Sequence, residues 1–494
     1  MTSIATEELT RYRMLIGGEH VDSVGGASFT STDPYTERPW AEAPDGTPDD
    51  VGAAVAAARA ALSGPWGELT AARRGRILRR VGDLLEEHAE RLARIETRDS
   101  GRLLSEMRSM AGYIPEWFHY YAGLADKIEG TTIPSDKPGF LVYTRLRAIG
   151  VVGAIVPWNS PLLLLAMKLA PALAAGCTVV VKPSDYTPAS ALEVADLLAE
   201  AGIPPGVVNV VTGFGPTAGR ALAAHPGIDK ITFTGSTRTG IDVAHSAADS
   251  LTRVSLELGG KSPQVVFADA DLDAAANGIV AGVFAASGQN CMAGSRVIVH
   301  RDVHDALMTK VAERAAAITL GDPNDPATDM GPLANRTQLD RVLGYCASAR
   351  EQGARVLYGG AQPDLGGFFV QPTVITGASP EMDVVREEVF GPVVAALPFD
   401  TESEAVALAN DTPYGLAGAV WTKDVHRAHR VADRIDAGTV WINAYRALAP
   451  GVPFGGVKHS GIGRENGVEA IRQYTETKSV WVELTGESRD PFAR

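Results

Sequence analysis

Cysteine is scarce. Three in 494 residues, Cys177, Cys291 and Cys346, are too few and too scattered for a disulfide framework, which points to a reducing compartment and a cytoplasmic protein. Excess positive charge is missing as well. The 45 basic and 59 acidic residues leave a net charge of −14, which argues against nucleic acid or an anionic membrane as main partner. The opening stretch MTSIATEELTRYRM has no apolar core and carries Glu7 and Glu8, so no signal peptide is expected. Long uncharged runs are rare. The one at 148–167 is broken in its middle by Pro157, Asn159, Ser160 and Pro161, and it reads as a buried strand, a turn and a buried helix, not a membrane span. His300 and His304, and His426 and His429, stand at helical spacing without the glutamate pattern of a zinc site, so no metal is expected. No fixed-period repeat or low-complexity tract is present.

What is there has the balance of a globular protein, 45% hydrophobic and 21% charged, and is too long for one core. An irregular arm comes first, with short strands at 14–16 and 20–22. Helical spacing of apolar residues runs through 51–62, 71–97 and from 103 to about 126. The last run is rich in aromatics (Tyr113, Trp117, Phe118, Tyr120, Tyr121), read as core packing. Residues 130–147 read as an extended hairpin. From Gly150, apolar strands at 151–156, 178–181, 207–211, 230–233 and 253–256 alternate with helices, the pattern of a parallel sheet covered on both faces. A second α/β series follows Cys291, with a strand at 296–300, a helix at 303–318, and strands near Phe369, Val393 and Thr439. The glycine pair in 259–263 marks the nearest thing to a domain boundary.

Cys291 lies in Ser287-Gly-Gln-Asn-Cys291-Met-Ala-Gly294, after a helix expected over 272–286 that stops at Gly288. A thiol after such a stop can be ringed by backbone N–H donors, the condition for a reactive thiolate; packing is the other use of a small buried cysteine. Glu257 ends a strand before Leu258-Gly259-Gly260, where a carboxylate can face a crevice and activate water, or form a salt bridge. Asn159, in Pro157-Trp158-Asn159-Ser160-Pro161, can donate its amide N–H to an oxyanion, or close a local turn. Two glycine loops compete for phosphate. Gly213-Phe-Gly215-Pro-Thr-Ala218, with Asp229 downstream, is a weak dinucleotide fingerprint, and Gly235-Ser236-Thr-Arg-Thr-Gly240 can hold a pyrophosphate at a helix N-terminus. Neither that loop, with Ile241 at the lysine position, nor the run ending Gly260-Lys261-Ser262, with Ser255 at the first glycine, is a P-loop.

Taken together the chain resembles the NAD(P)-dependent aldehyde dehydrogenase superfamily, of the non-acylating, hydrolytic type. The resemblance spans nearly the whole chain. It runs in order through Pro157-Trp158-Asn159, Lys182-Pro183-Ser184, Phe233-Thr-Gly235-Ser236, Leu256-Glu257-Leu-Gly-Gly-Lys261, Gly288-Gln-Asn-Cys291, Glu387-Glu388-Val-Phe390-Gly-Pro392, Asn410 with Tyr414-Gly-Leu416, and Pro453-Phe-Gly-Gly-Val-Lys458-x-Ser460-Gly461. It implies an aldehyde dehydrogenase fold: a Rossmann-like cofactor domain (1–125 and 149–259), an α/β catalytic domain (260–470), and a small β hairpin with tail (126–148 and 471–494) that joins subunits into a homodimer or homotetramer. It implies that Cys291 forms a thiohemiacetal and then a thioester, that Asn159 and the Cys291 N–H hold the oxyanion, that Glu257 activates water, and that Lys168 and Glu476 relay protons. It places the cofactor on Ile155, Trp158, Lys182, Ser184, Asp185, Gly215, Gly235, Ser236, Gly240, Leu258, Glu388 and Phe390.

Asp185 departs from the glutamate of many NAD-preferring relatives. Its carboxylate still repels a 2′-phosphate, so NAD is expected, with NADP possible because the reach is shorter. Positions similar to the substrate tunnel are Leu164, Met167, Asn290, Met292, Leu448 and Phe454, mostly apolar, with Arg446 in the entrance loop as a candidate for an aldehyde with a carboxylate or other polar tail. The presence of Glu257 argues against release of the thioester to CoA. A Cys-dependent esterase on a nucleotide-binding fold is the alternative.

Overall fold

The computed structural model describes residues 9–487 and 491–492. The leader reading of Glu7 and Glu8, and the last turns of the tail, lie outside the described residues.

Two large sheets carry the chain. The first has eight strands. Its middle is parallel, with Arg253–Glu257, Lys230–Thr234, Val151–Ile155, Thr178–Lys182 and Val208–Val210 side by side in that order. These strands are almost continuously buried because helices cover both faces, which is why they read as apolar runs instead of alternating ones. Antiparallel Met14–Ile16 and Glu19–Val21 extend one edge, and Gly461–Ile462 closes on the other. The second sheet has seven strands, ordered Arg355–Tyr358, Thr373–Thr376, Val393–Phe399, Arg296–His300, Pro263–Val266, Ala417–Trp421 and Thr439–Ile442, parallel except for the first. The chain changes sheet between Glu257, which ends one strand, and Pro263, which begins the next.

A third sheet stands apart. Thr475–Glu483 pairs antiparallel with Phe140–Ala148 along its whole length, and Thr132–Ile133 lies on the far side. The helix Pro161–Ala175 follows Asn159 after the single residue Ser160, begins on a proline and ends at Gly176 in a left-handed cap. Nearly all of it is buried, including Lys168. The 148–167 run is thus a strand, a turn and this helix. Among the described residues no helix is long and apolar enough to cross a membrane.

Several expected elements differ in detail. The 71–97 run is two helices, Ala71–Glu87 and Ala89–Ser100, bent at His88, a bend that leaves periodicity intact. The aromatic run divides at Pro115 into Leu104–Tyr113 and Pro115–Leu124. No strand forms at Phe369. That ring is fully buried in a loop, edge-on to Tyr35, and the strand comes later at Thr373–Thr376. An apolar loop residue imitates a strand because burial, not pairing, is what hydrophobicity reports.

Candidate active site

Neighbouring strands of the first sheet end together. Thr234 pairs in register with Glu257, Phe233 with Ile155, and Ile155 with Lys182. The crevice beyond these carboxyl ends is where an open parallel sheet binds ligands.

The nucleophile loop closes over it. The helix before Cys291 ends at Val283, earlier than expected, because Ala286 and Ser287 turn left-handed (φ 56° and 53°). Non-glycine residues there are strained by about 1–2 kcal/mol each. The strain is held by named bonds: the Ala286 N–H donates to Glu106 Oε1 at 3.0 Å, and the Ser287 hydroxyl to the Gly331 carbonyl at 2.8 Å. Gly288 (φ 71°) lies so close to Gly391 that a Cβ would stand 2.1 Å from its carbonyl carbon. On the other side, a Cβ on Gly260 would lie 2.5 Å from the Cys291 carbonyl oxygen. The glycines around the thiol are therefore required by close approach.

Cys291 stands between two cavities. One, of about 370 Å³, is lined by all of the expected tunnel residues: Leu164, Met167, Asn290, Met292, Arg446, Leu448 and Phe454. The other, of about 150 Å³, is lined by Trp158, Gly235, Ser236, Glu388 and Phe390, together with Thr234, Gln338 and Arg341. Cys291 and Asn159 are the two residues common to both. The thiol is pushed up to about 12 by burial first, then by the carboxylates of Glu388 and Glu257, while the amides of Met292 and Cys291 itself pull the other way. Asn159 Nδ2 donates to the Gln289 carbonyl at 2.9 Å, which fixes the amide and leaves its second N–H for another acceptor.

Glu257 is buried, and neither carboxylate oxygen has a well-formed hydrogen bond. Its pKa is raised well above the carboxylate range by burial, with the Glu465 charge adding to this and Lys168 opposing it. Here the structure corrects the expected pair. The partner of Lys168 is Glu465, not Glu476: Lys168 Nζ donates to Glu465 Oε1 and, at 2.7 Å, to the Thr234 hydroxyl. Glu476 lies on the outer strand Thr475–Glu483 and pairs with Arg253 at 2.9 Å, with a third of its side chain exposed. Both glutamates sit in the C-terminal region, and chain position alone does not say which one turns inward.

The remaining cofactor candidates are spread along the same strand ends. The Lys182 side chain is buried and forms no hydrogen bond or ion pair among the described residues, and burial draws its pKa down to about 8 against the opposing pull of Asp185 and Asp45. Ser184 and Asp185 follow it, the Ser184 hydroxyl accepting from the Tyr186 N–H. Ser236 caps the helix Thr237–Ala248. Gly240 on that helix leaves room for Leu258, whose side chain would be 2.4 Å from a Cβ there. Glu388 accepts from the Gly260 N–H at 3.0 Å and is raised to about 7 by burial. Phe390, at positive φ, sets its ring edge-on to Trp158. Gly215 is not brought in with these. It is exposed, in a π-turn before a four-residue helix, and lines neither cavity.

Residues the motifs missed come from the helix Leu104–Tyr113 and its lead-in. Arg102, Glu106, Met110 and Tyr113 form a wall of the larger cavity, as does Trp117, whose indole donates to Asn466 Oδ1. The aromatic stripe is core at Phe118 and Tyr121, but at Tyr113 and Trp117 it also faces the cavity. Their helical spacing was visible; which face meets a cavity was not.

Comparison with known proteins agrees with this geometry. The aldehyde dehydrogenase family model matches residues 20–480. A (Z)-2-((N-methylformamido)methylene)-5-hydroxybutyrolactone dehydrogenase of Acinetobacter baylyi is 45% identical over 98% of this chain and 99% of its own. Aldehyde dehydrogenase 1A1 of Gallus gallus is 44% identical over 96% and 93%. Among solved structures, betaine aldehyde dehydrogenase of Staphylococcus aureus in complex with NAD+ superposes with a TM-score of 0.96 at 40% identity, covering 98% of this chain and 96% of that one. An aldehyde dehydrogenase of Bacillus cereus gives 0.95 at 45%, covering 96% and 97%. With a family model across nearly all of its length and full-length relatives at such identity, this chain belongs to the aldehyde dehydrogenase family.

Proposed function

We propose that the protein oxidises an aldehyde to its carboxylic acid with reduction of NAD, using Cys291 as nucleophile and Glu257 as base. The observation that carries this is the position of Cys291 and Asn159 where the two cavities meet. A carbonyl carbon bonded to that sulfur has its tail in the larger cavity and its hydrogen toward the smaller.

The residues fit the cofactor. Lys182 is a buried cation whose side chain has no partner among the described residues, suited to ribose hydroxyls, and Asp185 beside it disfavours a 2′-phosphate. Ser236 and the helix it caps present N–H groups to a pyrophosphate, and Glu388 with Phe390 flanks the nicotinamide end. NAD, when bound, supplies the hydride acceptor.

The chain's own groups do the rest. The resting thiol is protonated, so its attack needs a proton acceptor, and the Glu257 carboxylate, itself raised by burial, is the matched one. The oxyanion of the thiohemiacetal is held by the second Asn159 N–H and the Cys291 N–H. Once Glu257 has passed the thiol proton to solvent and hydride has left the thiohemiacetal for the bound cofactor, Glu257 takes a proton from water, which attacks the thioester; collapse releases the acid and the Cys291 thiolate, which takes back a proton from Glu257. The free edge of Thr475–Glu483, beside exposed Phe140, Leu141 and Trp481, supports a homodimer or homotetramer joined through this sheet.

The test is absorbance at the reduced-nicotinamide band, with NAD or NADP and aliphatic, aromatic and carboxylated aldehydes. Reduction that requires Cys291, needs no CoA and favours NAD is expected. Ester hydrolysis with no cofactor reduction by any aldehyde would overturn the proposal in favour of a hydrolase.

A further inference from the structure

We infer, resting on the aldehyde-oxidising reading above, that the larger cavity selects a short-chain aldehyde with a carboxylate at its far end, and that Arg446 is the residue that holds that carboxylate.

Three charged side chains line the cavity: Arg102, Glu106 and Arg446. Two of them satisfy each other. Arg102 reaches Glu106 Oε2 at 3.3 Å and the Ser160 hydroxyl at 2.8 Å, while Glu106 Oε1 accepts from the Ala286 N–H. Arg446 has no such partner. Among the described residues its guanidinium donates only to the Ala281 carbonyl, at 2.9 Å, and no carboxylate lies within ion-pair distance. The cavity therefore keeps one uncompensated positive charge. Burial, with Arg102 adding and the Glu106 carboxylate partly opposing from beyond ion-pair distance, lowers the pKa of Arg446, yet a guanidinium stays charged.

The position is built, not incidental. Arg446 takes a left-handed backbone (φ 67°), as does Asn443 in the same loop. The loop is pinned on both sides, by the Trp441 indole to the Ala447 carbonyl at 3.1 Å and by the Tyr445 hydroxyl to the Met292 carbonyl at 2.7 Å. That second bond ties the loop to the residue after the nucleophile. The uncharged lining of the cavity is largely apolar (Leu164, Met292, Leu448 and Phe454 among it), so little else competes for a charged tail. A cavity of about 370 Å³ suits a chain of a few carbons. An uncharged tail leaves the half-buried Arg446 without a counter-ion, and a quaternary ammonium meets repulsion, whereas a carboxylate gains a charge-assisted, bidentate contact.

The experiment compares kcat/KM for 5-oxopentanoate, pentanal and betaine aldehyde in the wild type, Arg446→Gln and Arg446→Lys. The expected wild-type order is carboxylate first and ammonium last. The ratio of 5-oxopentanoate to pentanal falls by on the order of 10–100-fold in Arg446→Gln, mostly through KM, with partial retention in Arg446→Lys. Should the variants fold poorly, the wild type alone decides, because the same ratio must fall as salt rises from about 0.05 to 0.5 M. A wild type with no preference for the carboxylate, or a ratio indifferent to Arg446 or salt, overturns this inference and leaves aldehyde oxidation standing. Cofactor reduction with none of the three aldehydes overturns both.

Discussion

Exchanging Glu465 for glutamine tests the corrected pairing of Lys168. Lys168 is fully buried and Glu465 nearly so, so the pair lies in a medium where charges are hardly screened. Removing one partner of such a pair typically costs about 3–5 kcal/mol. Glutamine keeps an acceptor oxygen and Thr234 still accepts from Lys168, which puts the expected loss near the low end, about 3 kcal/mol. At roughly 2–4 °C per kcal/mol for domains of 150–250 residues, Tm falls by roughly 6–12 °C. The same change acts on Glu257. Its pKa is raised by burial and by the Glu465 charge, and lowered by Lys168. Glu465→Gln removes an anion and leaves the cation uncompensated, so both effects lower the Glu257 pKa. Glu257 must be ionised to act as base, and the acid limb of kcat therefore moves to lower pH. An interaction of about 1.4 kcal/mol corresponds to about one pH unit. The assay is a pH profile of kcat, with calorimetric unfolding alongside, for Glu465→Gln and Glu476→Gln. Glu476 pairs at the surface, where such pairs contribute about 0–1 kcal/mol, so its variant should track the wild type in both readouts. An unmoved limb in Glu465→Gln, or an equal shift in Glu476→Gln, would refute the reasoning.

Gly260→Ala brings a Cβ to 2.5 Å from the Cys291 carbonyl, and neither backbone can yield without moving the nucleophile. Activity should fall steeply for a stability loss of only about 1–3 kcal/mol, and iodoacetamide labelling of Cys291 should change rate; wild-type activity would count against the fit described. Trp481→Glu places a charge beside the free edge of Thr475–Glu483 and should lower the mass seen by light scattering, whereas a wild type that is monomeric at micromolar concentration would end the oligomer proposal.

Much of the site could be read before the fold because its chemistry is local. Cys291, Asn159 and Glu257 each sit at the end of an element, beside glycines or prolines that announce a turn, and their motifs keep that context with them. The larger cavity was legible in part for the same reason, since its expected residues come from one helix and two loops. What could not be read is what depends on distant partners. Nothing near Glu465 in sequence distinguishes it from Glu476. The choice is made by Gly461–Ile462 pairing with the strand of Glu257 and by Phe454 bridging to Glu465. Arg102 and Glu106 look like ordinary charges on an amphipathic helix until the Ser160 hydroxyl and the Ala286 amide are brought to them. The left-handed turn at Ala286 and Ser287 carries no glycine signal, because its strain is held by Glu106 and Gly331 from far along the chain.

The short strand Gly461–Ile462 also bears on how the molecule comes into being. The sheet that presents Glu257 is otherwise complete by that residue, yet its edge waits for a segment some two hundred positions further on, and the same segment delivers the counter-ion of Lys168. A growing chain would hold an apolar, lysine-bearing helix with no acid to meet it. Contacts of such sequence separation form late, since the loop between them must close first. Catalytic competence is thus the last property the chain acquires during synthesis. A truncated product would have the thiol but not the buried charge balance that sets its base, which keeps a reactive cysteine from working before the enzyme around it is whole.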